Sequence, residues 1–212
     1  MKNQVSPIKN FNFRLPILII GFSIACLINA SLFAQERKLF YDVVRKGKVI
    51  GKINFVESIQ GQKKWLSMSS NVKTRYVFSF SDETSETASF DNGVMVHSSF
   101  RQDQTGSAVD NKTTTVAGKF YKITDDGESK LINISPIHYN MLLLYTTIPA
   151  GVSKVYSANF QTHLEIKKVE ENKYRLTMPD GKFYYYTYKN GVCTKVEIVR
   201  TLFTLEFVLR QG

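Results

Sequence analysis

The sequence predicts an all-β protein, a single antiparallel meander that curves into a half-barrel or barrel, with one short helix or apolar lid near residues 136–146. Two observations carry this prediction. Turn-forming residues recur about every 8 to 14 positions, as they do in an antiparallel meander. Between the turns, apolar and polar residues alternate with a period of two, which gives each strand one buried face and one solvated face.

The strongest turn signals are the dipeptides Asn92-Gly93 and Asn190-Gly191. Both central residues of a type I′ turn have positive φ, which Asn and Gly tolerate, and the twist of this turn matches that of paired strands. Pro179-Asp180-Gly181 is a third turn, because Pro presets φ and Gly takes the left-handed position. We therefore expect Asn190-Gly191 to join two paired strands, at about 182–189 and 192–199.

Alternation identifies the strands between these turns. The segment 183–188 is unusual because it places aromatic residues on both faces. We assign Tyr184, Tyr186 and Tyr188 to the outer face, either as a surface for sugar rings or a partner, or covered by a neighbouring element, the commoner role of aromatic strand residues. The clearest apolar faces elsewhere are those of Val49, Gly51, Ile53 and Phe55, of Tyr174, Leu176 and Met178, and of Phe203, Leu205, Phe207 and Leu209.

One apolar segment interrupts the alternation, between Ser135-Pro136 and Pro149-Ala150-Gly151. Ser is a good N-cap and Pro suits the first helical turn, so a short buried helix over 137–148 is one interpretation. A pair of apolar strands is the other, since periodicity alone does not separate the two in so short a run. As a lid over an apolar cavity, the segment would present Leu142, Leu143, His138 and Tyr139 to a ligand.

Residues 1–34 have the pattern of a secretory signal peptide, with a basic start, an apolar stretch over 15–33 and a small residue, Ala34, at the cleavage point. The pattern predicts export to the periplasm or beyond, and a single β-rich domain over 35–212. An uncleaved membrane anchor is one alternative, because the apolar stretch is close to the length of a spanning helix. A lipoprotein anchored at Cys26 is another, although Ser23 stands where a lipobox usually has Leu.

The mature chain is basic and has one cysteine. Because residues 1–34 contain three of the 28 basic residues and no acidic ones, residues 35–212 carry a net charge of +7. This charge would suit contact with an anionic envelope membrane surface, but the basic residues are scattered, and no basic and aromatic motif predicts nucleic-acid binding. Cys193 stands alone once the signal is removed, which excludes an intrachain disulfide bond.

No catalytic, cofactor or metal site is predicted. The sequence has no motif of a serine hydrolase, zinc protease, nucleotide-binding loop or calcium-binding loop. The acidic stretch 81–87 is interpreted as a solvated strand or turn, and Asp125-Asp126-Gly127-Glu128 as a turn. Cys193 is placed on a face with Lys195 and Glu197, where an ammonium group would lower the pKa of the thiol, but no histidine base is identifiable.

Two segments carry a resemblance to a known family. Tyr41-Asp42-Val43-Val44 with Gly47-Lys48-Val49-Ile50-Gly51, and the segment from Lys173 to Cys193, resemble a family of uncharacterised secreted β-rich proteins, a domain of unknown function, from Bacteroidetes-type bacteria. The resemblance implies compartment and β fold, not chemistry. A more distant likeness is to the periplasmic lipoprotein carriers, whose curved sheet holds acyl chains beneath a helical lid. That likeness gives 137–148 the role of the lid.

These observations predict an exported envelope protein that binds a lipid or acyl ligand without catalysis. A structural envelope protein with a filled core is the main alternative, and an enzyme acting on an envelope polymer is a third. A solvent-accessible cavity of several hundred Å³ would favour the binding protein, whereas a packed interior would favour the structural protein. The sequence predicts neither the ligand's identity nor an oligomeric state.

Overall fold

The computed structural model describes residues 34–75, 79–199 and 203–210. The predicted signal peptide lies outside these residues except for Ala34. Within them no helix is long and apolar enough to cross a membrane.

The predicted all-β fold is confirmed, as one antiparallel sheet with fourteen strands. In chain order the strands are β1 (Gln35–Arg45), β2 (Lys48–Gln60), β3 (Lys63–Arg75), β4 (Ser79–Asp91), β5 (Val94–Gln104), β6 (Asp110–Ala117), β7 (Phe120–Asp125), β8 (Glu128–Ile132), β9 (Lys154–Ser157), β10 (Thr162–Glu170), β11 (Lys173–Thr177), β12 (Phe183–Lys189), β13 (Val192–Val199) and β14 (Thr204–Leu209).

The sheet is a meander with one long-range pairing. Every strand pairs with its neighbours in sequence except β8 and β9, which do not pair with each other, and β1 also pairs with β14, so that the order runs from β8 through β1 and β14 to β9. The edge strands β8 and β9 follow one another in the chain and are joined by residues 133–153, which we call the crossing segment. The sheet is curved, and its ladder of backbone hydrogen bonds is not closed.

The hairpin turns have the predicted geometry. Asn190 and Gly191 have φ angles of 52° and 80°, and they join β12 to β13. Asn92 and Gly93, with φ angles of 50° and 75°, join β4 to β5 in the same way. Two consecutive positive φ angles are those of a type I′ turn, so the predicted hairpins are confirmed.

The crossing segment contains the one helix of the described residues, a 3-10 helix at Met141–Tyr145. It is shorter than the predicted helix and begins after Asn140, whose side chain accepts a hydrogen bond from the backbone N–H of Leu143 at 3.2 Å. The preceding residues are bonded to the sheet instead. Ile137 donates its N–H to the Tyr121 hydroxyl at 3.1 Å and accepts at its carbonyl from Met95 N at 2.8 Å, so it has no backbone group left for a helix.

The crossing segment also holds the edge strand β9. The backbone N–H of Tyr156 donates to the carbonyl of Tyr139 at 2.8 Å, beside an isolated parallel bridge between Asn140 and Tyr156. From β9, the Tyr156 hydroxyl lies 2.9 Å from Thr114 Oγ1 on β6. Side chains and this segment therefore join the two ends of a sheet that does not close by strand pairing.

A second side-chain link lies in the turn between β9 and β10. The amide nitrogen of Gln161 donates to two backbone carbonyls, those of Thr113 on β6 and Thr124 on β7, both at 2.9 Å. One amide thus satisfies two carbonyls from strands on the far side of the gap, which holds β10 close to the β6–β7 hairpin.

The face assigned to the tyrosines of β12 is wrong. Tyr186 and Tyr188 are buried on the inner face, and the Tyr188 hydroxyl donates to the carbonyl of Leu144 at 2.9 Å. The outer aromatic residues are Phe183 and Tyr185, each under a basic side chain of β11, as cation–π pairs. Because aromatic residues occupy both faces of β12, alternation alone could not distinguish the inner face from the outer one.

Replacing Gly191 by Val should destabilise the protein by roughly 2 kcal/mol, because a β-branched residue is strained at a φ of 80°. The free energy of unfolding in urea measures this loss. Gly191→Asn is the matched control and should lose much less, since Asn tolerates the left-handed region. Equal losses for the two variants would contradict the assigned turn.

Candidate functional site

The inner face of the sheet encloses a cavity of about 770 Å³. Its wall is formed by inward residues of most strands and by two residues of the 3-10 helix, Met141 and Tyr145. The wall consists of Val43, Ile53, Met68, Ser70, Val72, Asp82, Thr84, Glu86, Phe100, Gln102, Gln104, Met141, Tyr145, Ser157, Asn159, Phe160, Met178, Asp180, Lys182, Tyr184, Tyr186, Ile198, Phe203, Leu205 and Phe207.

The 3-10 helix forms the floor of this cavity. The ring of Tyr145 stacks on Phe55, with centroids 5.2 Å apart, and meets Tyr41 edge-on at 5.4 Å. The Tyr41 hydroxyl in turn donates to the carbonyl of Cys193 at 2.8 Å, which ties β1 to β13 across the interior. Burial raises the pKa of Tyr145 well above its usual value, so its phenol stays neutral.

A buried carboxylate with two basic neighbours lies on the other side of the helix from the cavity. Glu57 is 4% exposed. Its carboxylate accepts a hydrogen bond from Thr146 Oγ1 at 3.1 Å and forms an ion pair with Lys64 at 3.2 Å. Arg37 lies 3.8 Å from the same carboxylate. The charge of Glu57 is therefore compensated, and the residue that follows the helix is fastened to β2.

The opposite end of the cavity is polar, and we call it the mouth. There the Asp82 carboxylate accepts from Gln102 Nε2 at 3.0 and 3.1 Å and from Thr84 Oγ1 at 3.0 Å. In the turn between β11 and β12, Lys182 pairs with Asp180 at 2.6 Å. The turns at this end include 46–47, 105–109 and 178–182, whereas the helix lies towards the other set of hairpin turns.

Glu86 differs from every one of these polar groups. It lies on β4, four residues inward from Asp82, paired in register with Met68 on β3 and Phe100 on β5. It is 6% exposed, and its Oε1 atom is buried without a hydrogen-bond partner. Burial raises the pKa of this carboxyl from 4.5 to about 8, because a carboxylate without a counter-charge is disfavoured in apolar surroundings. Near neutral pH the carboxyl is therefore mainly protonated.

The interpretation of 81–87 as a solvated stretch is thus wrong at Glu86. The signal that could have placed it is the pattern that follows, because Ala88 and Phe90 have the same parity and both are buried. The acidic residues of 81–87 made the alternation of inner and outer positions difficult to recognise. Glu83, of the opposite parity, is exposed and accepts a hydrogen bond from Asn71, as expected for the outer face.

The four residues predicted to line a ligand are not part of the cavity wall. Leu142 and Leu143 are buried in the core, 1% and 7% exposed. His138 is exposed and bonds through Nδ1 to the carbonyl of Gly93 at 3.0 Å, while the Tyr139 hydroxyl donates to the carbonyl of Thr147. The helix presents Met141 and the ring of Tyr145 to the cavity instead, while Leu142, Leu143 and Leu144 are buried in the core.

Cys193 is buried on the inner face, not on the face of Lys195 and Glu197. The β12–β13 pair changes register between Thr187 and Tyr188, where β13 has one extra residue, Thr194, so that Cys193 lies opposite Tyr188. Burial raises the pKa of the Cys193 thiol to about 12, the reverse of the lowering that a neighbouring ammonium would give. The thiol therefore packs as a neutral core group.

An acidic cluster outside the cavity is explained by turn geometry. The carboxylates of Asp110, Asp125 and Asp126 lie close together at one end of β6 and β7. Lys112 reaches into the cluster, 2.7 Å from Asp110 and 3.9 Å from Asp125. Asp126 accepts from the backbone N–H of Asn111 and has a φ of 44°, as the predicted turn requires.

Comparison with known proteins identifies a family. The sequence pattern of a domain of unknown function, DUF6134, matches residues 41–210. The chain belongs to this family. The resemblance to an uncharacterised β-rich family is therefore confirmed at that level, while its bacterial group and the likeness to carriers stay predictions. No curated protein matches the chain.

A solved structure shares the fold. The crystal structure of a β-barrel-like protein of a domain of unknown function, DUF1849, from Brucella abortus superposes with a TM-score of 0.52 at 10% sequence identity. The match covers 86% of this chain and 98% of that one. At this identity the likeness shows the architecture alone.

Glu86 should make the stability of the protein depend on pH. Because its folded pKa of about 8 is raised above the unfolded value, its favourable contribution is fully present below about pH 4.5 and is lost as the pH rises through 8. The loss amounts to roughly 5 kcal/mol at most. Urea unfolding at pH 5 and 8.5 should show a larger loss of stability for the wild type than for Glu86→Gln. Glu83→Gln, on the outer face of the same strand, should follow the wild type; parallel pH curves for all three proteins would contradict a buried, unpaired Glu86.

Proposed function

We propose that the protein is an exported envelope protein that binds a lipid-like, mainly apolar ligand in its cavity and has no catalytic role. The observation that carries this proposal is the cavity itself, about 770 Å³ in a single small domain. Sites for small ligands and cofactors typically measure about 300–1,000 Å³. The export signal, which gives the compartment, is a prediction from the sequence.

The wall supports an apolar occupant. Most of its side chains are aliphatic or aromatic, and the described polar ones concentrate at the mouth. Burying one methylene group contributes about 0.8 kcal/mol, so an alkyl chain of roughly ten carbons would contribute about 8 kcal/mol before the entropic cost of binding. We therefore expect micromolar or weaker affinity for a simple chain.

The cavity also favours a binding protein over a structural protein with a filled core, the two main hypotheses from the sequence. A purely structural envelope protein was expected to have a filled core, and among the described residues the core is packed around the 3-10 helix. There Leu142, Leu144 and Ile137 are 1% exposed or less. Towards the mouth the interior stays open, which favours a binding protein. The helix is then a fixed floor, and a ligand enters from the mouth.

Filling the cavity should abolish binding of an apolar probe. Ser70 lies on the wall, opposite Ile53 and Thr84, so a Trp at this position would occupy the space between β3 and the facing wall. We expect the wild type to bind the uncharged dye N-phenyl-1-naphthylamine, measured by the rise in its fluorescence, and Ser70→Trp to bind at least about tenfold more weakly.

Ser69→Trp is the matched control. Ser69 is the neighbouring residue of the same strand, exposed on the outer face, so this variant adds the same side chain without filling the cavity. Its affinity for the dye should equal that of the wild type. Circular dichroism melting of both variants verifies folding. A wild type that does not bind the dye, or a folded Ser70→Trp that binds it equally well, would overturn the proposed function.

A further inference from the structure

The polar groups of the cavity wall differ in whether they have hydrogen-bond or ion-pair partners. At the mouth, Asp82 accepts three hydrogen bonds and Asp180 is paired with Lys182. Near the floor, Oε1 of Glu86 has no partner although it is buried. A buried acceptor without a partner lowers stability, and a ligand group that binds to it would recover that loss.

Aromatic rings lie close to this carboxyl. Phe100 is its register partner on β5, and the buried Tyr145 is close enough that the charge of Glu86 raises the pKa of its phenol. Tyr184, Tyr186 and Phe207 belong to the same cavity wall. A carboxylate among aromatic faces is the environment in which proteins bind ammonium groups, because the ring faces carry partial negative charge.

The charge of the cavity wall also favours a cationic ligand. Its described ionisable acids are Asp82, Glu86 and Asp180, and the one described basic side chain is Lys182, already paired at the mouth. The mature chain as a whole is basic, yet its cavity is acidic. A fatty-acid carboxylate would meet no free basic side chain among the described residues of the wall, so its own charge would be buried near the floor without a counter-charge.

We propose that the ligand is a single-chain amphiphile whose head group is a protonated amine, and that this ammonium binds Glu86 against Phe100 and Tyr145 at the floor of the cavity. The proposal rests on the proposed function, since it names the ligand class of the same cavity. It replaces the fatty-acid-like ligand that the likeness to lipoprotein carriers suggests.

Binding should release a proton. In the empty cavity near neutral pH the carboxyl of Glu86 holds its proton, because its pKa is raised to about 8. An arriving ammonium pairs with the carboxylate, and the carboxyl proton passes to the buffer. Among the described residues, the other titratable groups that face the cavity are Tyr145 from the helix, Tyr184 and Tyr186 from β12, Asp82 from β4, and Asp180 and Lys182 from the mouth turn. The neighbouring strands present Met68 and Phe100, which do not titrate.

Three probes with the same ten-carbon chain test the head group: decylamine, decanol and decanoic acid. Calorimetric titration at pH 8 should show decylamine binding at least about tenfold more tightly than decanoic acid, with decanol between them. Between pH 6 and 7 the affinity for decylamine should rise about tenfold, with nearly one proton released per bound amine, measured in two buffers of different ionisation enthalpy.

Glu86→Gln should lose at least about tenfold in affinity for decylamine, lose the proton release and leave decanol binding within about threefold. Glu83→Gln should behave as the wild type. If decanol binds but decylamine binds no more tightly than decanoic acid, or if Glu86→Gln keeps the preference for the amine, the head-group assignment fails while the proposed function stands. If none of the three probes binds the wild type, both fail.

Discussion

The two ends of the fourteen-stranded sheet are joined by side chains and by the crossing segment, not by strand pairing, and the interior is organised around this join. Strands β8 and β9 are adjacent in the chain, yet the backbone ladder between them is open. The crossing segment is bonded to the sheet instead, because the backbone N–H groups of Met95 and Tyr156 donate to the carbonyls of Ile137 and Tyr139. The same residues that fasten the edges cannot extend a helix, so the segment makes only five residues of 3-10 helix, placed inside the sheet.

That placement divides the interior into two parts. Behind the helix, Glu57 is buried with its charge compensated by Lys64 and Thr146. In front of it, Glu86 is buried in the cavity wall with an unpaired oxygen. Two carboxyls of similar exposure thus have opposite environments, and the difference is the presence of a partner. The unpaired carboxyl lowers stability at neutral pH.

Local features of the fold could be predicted from the sequence, whereas the site could not. Asn190-Gly191 and Asn92-Gly93 fix their turns through backbone conformation, which is a local property. The pairing of β1 with β14 is accompanied by contacts over more than 100 residues, for example Tyr41 with Cys193, and the inner face of β12 depends on contacts outside its own hairpin, for example Tyr188 with Leu144. Leu142 and Leu143 were predicted to face a ligand because they are apolar, but apolarity does not distinguish core from cavity wall. Glu86 was missed because an acidic residue in an acidic stretch is usually solvated.

The helix and the curved sheet exclude solvent from Glu86 and leave its Oε1 atom without a hydrogen-bond partner. Carbon-13 NMR of the side-chain carboxyls, titrated in the absence of ligand and assigned with Glu86→Gln, measures this directly. A carboxyl that is buried without a partner should titrate here with a pKa of about 8. A pKa for Glu86 near its ordinary value of 4.5 would show that the carboxyl is hydrated or paired, and would contradict the account.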